Sequence, residues 1–161
     1  MATLHFVSGK AGAGKTTLAR QIAEEAPALL ICEDEWMLRL ADPINSLEQY
    51  LRHAARIRSV IAPLCINLLK LGVSVVIDFA GNTIGDRQWV RSVFESAGAD
   101  HRLHYLPVDD ETCRARVHHR NVSKPEGLFF GAVTDQQLDE VNKFFTAPSA
   151  EEGFTILVHD M

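Results

Sequence analysis

Eight consecutive residues, Gly9-Lys10-Ala11-Gly12-Ala13-Gly14-Lys15-Thr16, fill every fixed position of the pattern GxxxxGK[ST]. Residues of these types at this spacing are suited to holding phosphate. The glycines let the backbone turn tightly, so that successive N–H groups point inward at an anion. A helix opening at the end of the loop adds its positive N-terminal dipole. Lys15 brings a point charge for the β- and γ-phosphates, and the Thr16 hydroxyl suits the shell of a magnesium ion. The nucleotide-binding set therefore runs from Gly9 to Thr17, with Thr17 as a helix-start residue more than a ligand. An apolar strand precedes the run and a helical pattern follows it, which is the context that gives the spacing its meaning.

Two carboxylates and two arginines stand where such a cradle needs them. Asp78 closes the run Val75-Val76-Ile77, and an acid at the C-terminal end of a buried parallel strand sits at the edge where ligands bind. With Thr16 it forms the expected magnesium pair. The run Cys32-Glu33-Asp34-Glu35-Trp36 ends the second strand at the same edge. A carboxylate in this run is suited to act as general base for an acceptor hydroxyl, although three acids in a row also describe a solvated turn. Arg116 and Arg120 are four apart and share a helix face. Cations so placed neutralise the charge that spreads over a phosphoryl group in transfer. At least one of the pair is expected to join Lys15 in the catalytic set, although an acidic start and a basic end also stabilise any helix. His118 and His119 read as surface residues, and 124–131 as an irregular segment fit for a mobile lid.

The elements that must position these groups follow from hydrophobic periodicity. Strands are predicted at Leu4–Ser8, Ala28–Cys32, Val73–Phe79, Arg102–Val108 and Phe154–Val158. Helices are predicted from about Lys15 to Glu25, from Ser46 through Leu68, from Gly85 to Ala97, from Asp109 to about Arg120, and from Thr134 to near Phe145. Pro63 is expected to kink or split the second of these. Five strands with helical crossovers make a doubly wound α/β sheet, read as one domain over 1–161 with a helical lid at about 114–131.

Composition narrows the partners. A net charge of −5 argues against a broad basic surface for nucleic acid, yet one arginine-lined cleft is compatible with an acidic total. Cys32, Cys65 and Cys113 have no metal-binding spacing and read as reduced thiols. No run approaches the ~18 apolar residues of a membrane span, and the N-terminus lacks a signal layout, so a cytoplasmic location without a membrane partner is expected.

The whole chain resembles the small P-loop kinases with a nucleoside-monophosphate-kinase-like core, a group that includes gluconate and shikimate kinases, chloramphenicol phosphotransferase and zeta-toxin-like kinases. Within that group it is most similar to the short stand-alone AAA-type ATPase domains (the AAA_33-like set). The Gly9–Thr16 cradle, Asp34, Asp78, the Arg116/Arg120 pair and the tail from Phe145 to Phe154 carry the likeness. The resemblance implies a sheet order of 2-3-1-4-5 in a P-loop NTPase fold. It also implies an adenine pocket between the lid and the loop before the last strand, with Arg116 near adenine, Arg120 at the phosphates and Asp34 as the base, so that Lys15, Asp34 and Arg120 form the implied catalytic set. ATP, magnesium and a small hydroxyl-bearing acceptor are the implied ligands, and transfer of the γ-phosphate to that acceptor the implied activity. No sequence block marks the acceptor. The alternatives are a regulatory or toxin-like module with slow ATP hydrolysis, and a polynucleotide 5′-kinase.

Overall fold

The computed structural model describes residues 1–160. Its centre is β1 (Thr3–Gly9), where Leu4 and Phe6 turn to one face of the sheet and Val7 to the other. This is the period of two that a strand covered on both sides demands. β3 (Val75–Asp78) is buried at every residue and does the same, with Val75 and Ile77 on the first face and Val76 on the second. β2 (Leu29–Cys32), β4 (Asp100–Leu106) and β5 (Ile156–Val158) complete a five-stranded sheet in the order β2-β3-β1-β4-β5, with every pair parallel. The α/β fold and the strand order are those expected.

The described residues form six α-helices, four of which flank the sheet. α1 (Lys15–Glu25) buries Leu18, Ala19 and Ile22, and α5 (Asp110–Ser123) packs Cys113 into the same cluster. α3 (Leu47–Lys70) and α4 (Ile84–Ala97) cover the other face. Local chemistry sets their ends. The Ser46 hydroxyl accepts from Gln49 N, Thr83 and Asp86 form a reciprocal capping box, Asp109 accepts from Thr112 N, and Thr134 caps α6 (Asp135–Asn142) with Gln137. Among the described residues, no helix is long and apolar enough to cross a membrane.

Two readings meet the structure differently from their sequence form. Of the two outcomes expected at Pro63, the split does not occur: α3 runs unbroken for 24 residues. A proline inside a helix costs about 3 kcal/mol, but Ala54, Ile57, Ile61, Cys65 and Leu69 are all buried along one face, and each large side chain contributes about 1.5–3 kcal/mol. Packing prevails. The acidic run after β2 is not a strand end or a turn but the first turn of a further helix, α2 (Glu33–Leu40). Glu33, Asp34 and Glu35 fall at its positive N-terminus, and Met37 anchors it in the core.

Three imidazoles cross the sheet in a ladder. His5 Nδ1 lies 3.0 Å from His104 Nε2, and His104 Nδ1 lies 2.9 Å from His159 Nε2. Neutral rings satisfy both contacts, each donating one N–H and accepting one. Burial pushes His104 from 6.5 down to about 4, helped by the rings of His5 and His159 and by Arg102, and burial and Arg102 lower His5 as well. The unfolded chain therefore binds more protons than the folded one below the ordinary histidine value, and stability falls with pH in that window. Stability measured by urea unfolding is expected to drop by about 3 kcal/mol between pH 6.5 and about 4. His104→Gln, which keeps one donor and one acceptor, flattens that slope; parallel curves for the two proteins would refute the assignment.

Candidate functional site

β1 delivers the chain to Gly9 at the C-terminal edge of the sheet, and α1 starts at Lys15, so residues 10–14 must turn back within a few ångströms. Gly14, at φ 99°, caps the helix. Gly12, at φ 86°, is fixed by more than its backbone angle. A Cβ there would lie 2.5 Å from the Cys113 carbonyl oxygen and 2.9 Å from Val117 Cγ2. The loop thus sits flush on α5. Lys10 donates to Asp110 Oδ1 at 2.7 Å and Arg116 Nη1 to the Ala13 carbonyl at 3.0 Å, fastening it to that helix. Ala11 N donates to Asn142 Oδ1 at 3.1 Å, which ties it to the end of α6.

Inside the loop, Lys15 Nζ donates to the carbonyls of Gly9 and Lys10 at 2.9 and 3.0 Å, folding its side chain back across the cradle. Thr16 Oγ1 donates to Asp78 Oδ2 at 2.7 Å, joining residues of β3 and α1. A hydroxyl and a carboxylate in contact at the base of a phosphate loop are hard oxygen donors, the kind magnesium takes. Thr17 is exposed on the first turn of α1.

Asp34 stands across from this pair in the first turn of α2. It is open to the cleft, but the protein crowded around its carboxyl strips hydration and raises its proton affinity. The Asp78 charge raises it further, while Lys15 and Arg120 pull it down. The same crowding lowers the Lys15 ammonium, against the opposing carboxylates of Asp78 and Asp34. Lys15, Asp34, Asp78 and Arg120 are therefore within electrostatic reach of one another. Arg120 Nε is buried without a hydrogen-bond partner, a donor left over by the protein itself.

Arg116 and Arg120 do not act alike in this arrangement. Arg116 is bound to the cradle's backbone, and Arg120 is coupled to Lys15 and Asp34. Beyond them α5 continues to Ser123, further than predicted. The 124–131 segment is held at Gly127, whose carbonyl accepts from Arg20, and Asn121 exchanges two hydrogen bonds with Val133. His118 meets Asp135 at 2.6 Å, and Arg114 meets Asp135 and Asp139, pinning α5 to α6.

Other residues of the edge went unread in the sequence. Arg87, fully buried, gives Nε and Nη2 to Glu152 at 2.7 and 2.9 Å and Nη1 to the carbonyls of Gly81 and Thr146 at 3.0 and 2.8 Å. It anchors the tail beside the turn that follows Asp78. Glu33 is buried with Tyr50 Oη at 2.8 Å and Arg58 Nη2 at 3.4 Å. No local spacing signals pairs 17 to 65 positions apart. A cavity of about 640 Å³ opens beside the cradle, with Lys10, Tyr105, Asp110, Asn142 and Phe145 in its walls.

Residues 4–148 match the AAA domain family (AAA_33). The sequence matches no curated protein. Among solved structures, a candidate kinase from Chloroflexus aurantiacus superposes with a TM-score of 0.76 at 19% identity, over 99% of this chain and 85% of that one. A sugar kinase from Janibacter sp. gives 0.63 at 20%, over 99% and 86%. The Mycobacterium tuberculosis APS kinase in complex with AMPPNP and APS gives 0.65 at 18%, over 99% and 90%. At these identities the likeness is one of fold.

Gly12→Ala tests the seat of the loop on α5. A side chain at that angle costs about 1–3 kcal/mol in backbone strain alone, and the contact with Cys113 adds to it. Thermal unfolding should shift down by several degrees. An unchanged melting temperature would mean that loop and helix part freely.

Proposed function

The chain belongs to the AAA domain (AAA_33) family, and on the geometry of its cradle we propose that it is an ATP-dependent phosphotransferase acting on a hydroxyl of a small molecule. The observation that carries this reading is the grouping of Lys15, Thr16 and Asp78 at one sheet edge with Asp34 and Arg120 coupled to them. It agrees with the names of its fold neighbours, which include a sugar kinase, an APS kinase and a gluconokinase.

Each residue then has a task. The backbone of Gly9 to Gly14 and the Lys15 ammonium hold the β- and γ-phosphates, releasing the Gly9 and Lys10 carbonyls that Lys15 now binds. Thr16 and Asp78 would hold magnesium, which supplies charge neutralisation on the phosphate oxygens when bound. The Asp34 carboxyl, raised from its ordinary value by burial and the Asp78 charge, accepts the proton of the acceptor hydroxyl. Arg120 offers its free Nε–H to the transferred group. Arg116 serves the nucleotide through the cradle, by fixing the Ala13 carbonyl. The base lies in the cavity bounded by Lys10, Tyr105 and Phe145, where the two rings stack at 6.3 Å. A single domain spanning 1–161 with its lid at about 114–131 is part of the same proposal.

Arg120→Ala is expected to lower kcat roughly a hundredfold with little change in the KM for ATP, a loss of about 3 kcal/mol in transition-state stabilisation. The rate is read as ADP release, with an acceptor or as basal hydrolysis. A variant that kept the wild-type kcat would leave Arg120 as a surface cation and remove it from the reaction.

A further inference from the structure

Several elements wall the cavity beside the cradle, and one of them has little packing of its own. Phe145 and Ala147 line that cavity, yet they belong to the segment between α6 and β5, whose one regular element is a 3₁₀ turn (Ala150–Glu152). Thr146, Ala147 and Ser149 are exposed. A segment with so little buried apolar surface keeps its place through polar contacts.

Those contacts converge on Thr146, between the two wall residues. Its N–H donates to the Asn82 carbonyl at 2.7 Å, and its own carbonyl accepts from Arg87 Nη1 at 2.8 Å. The same Nη1 donates to the Gly81 carbonyl at 3.0 Å, three residues after Asp78. Nε and Nη2 take the Glu152 carboxylate at 2.7 and 2.9 Å, and that carboxylate also accepts from Ser149 N at 3.0 Å. One guanidinium, wholly buried, thus ties both ends of the segment to the turn after β3. Its rigid planar fork permits this; the point charge of a lysine does not span the three partners. The Gly81 turn has other ties, because Ser8 Oγ donates to its carbonyl at 3.3 Å and a Cβ there would lie 2.5 Å from Phe6 Cζ. Without Arg87 the turn stays seated on β1, while Thr146 keeps only its hydrogen bond to Asn82.

We infer that Arg87 is a positioning residue for nucleotide binding: through Thr146 it sets Phe145 and Ala147 against the base, and it has no part in holding the phosphates. Arg87 has this role only on the phosphotransfer reading, which puts the base in that cavity. The cradle is fastened separately, by Lys10 to Asp110, by Arg116 to the Ala13 carbonyl and by Ala11 N to Asn142. Loss of the guanidinium therefore frees the base wall and spares the phosphate loop. A wall that must be ordered when the nucleotide arrives lowers affinity by the cost of ordering it.

Two probes separate the regions by calorimetric titration with magnesium present: ATP, and inorganic tripolyphosphate, which carries the phosphates without base or ribose. Arg87→Met should weaken ATP by about tenfold or more and change tripolyphosphate by less than about twofold. Phe145→Ala should show the same split. Combining the two substitutions should weaken ATP by less than about twofold beyond either alone, because both act on one wall. A merely structural arginine would move both ligands alike. Equal losses on ATP and tripolyphosphate, an unchanged ATP affinity, or additive effects of the two substitutions overturn the inference. If Arg87→Met does not fold, Arg87→Lys, which keeps the charge and loses the fork, is held to the same split. A wild-type chain that binds neither probe, or ATP without tripolyphosphate, refutes the phosphate-cradle reading itself, and the role of Arg87 with it.

Discussion

The 2.7 Å hydrogen bond from Thr16 Oγ1 to Asp78 Oδ2 joins the first turn of α1 to the end of β3, and the rest of the edge is arranged around it. Neither group can move without displacing a buried element. Asp78 follows three strand residues with no exposed surface, and α1 is held by Leu18, Ala19 and Ile22 in the cluster that also contains Val76. Because Cys32 pairs in register with Asp78, the residues that follow β2 must emerge beside that carboxylate. This is why Asp34, two positions on, feels its charge.

From that fixed pair the edge divides into two regions of different character. On the α5 side, Lys10, Arg116 and Val117 bind or touch the loop backbone, so the cradle has its shape before any anion arrives. Preorganisation of this sort reduces the reorganisation needed on binding. On the α3 side, charge is matched internally through Glu33, Arg58 and Asp86. Partly buried ion pairs with aromatic neighbours set a rigid wall more than they add stability. Among the described residues, neither Lys15 nor Arg120 has a carboxylate at ion-pairing distance, Lys15 being turned onto carbonyls and Arg120 keeping a free donor.

How much of this was legible beforehand depended on range. The cradle is a contiguous run whose glycines, lysine and threonine stand at set spacings, and the buried strands announced themselves by apolar content. The order of the strands came from the resemblance, because parallel pairing leaves no local mark. α2 was missed for an electrostatic reason: Glu33, Asp34 and Glu35 look like a solvated turn until they are placed at a helix N-terminus. Pro63 does not split its helix because five buried neighbours along one face outweigh its local cost. Arg87 and Glu152, 65 positions apart, and the His5–His104–His159 ladder are products of the assembled sheet, and no window of sequence contains them.

The most direct measurement is the magnesium dependence of ATP binding, by calorimetric titration, for the wild-type chain and for Asp78→Asn. If Thr16 and Asp78 form a metal-holding pair, the variant should need about tenfold more magnesium or greater to reach the same ATP affinity. An Asp78→Asn chain with altered melting temperature but an unchanged magnesium requirement would contradict that account and leave Asp78 as a strand-end residue.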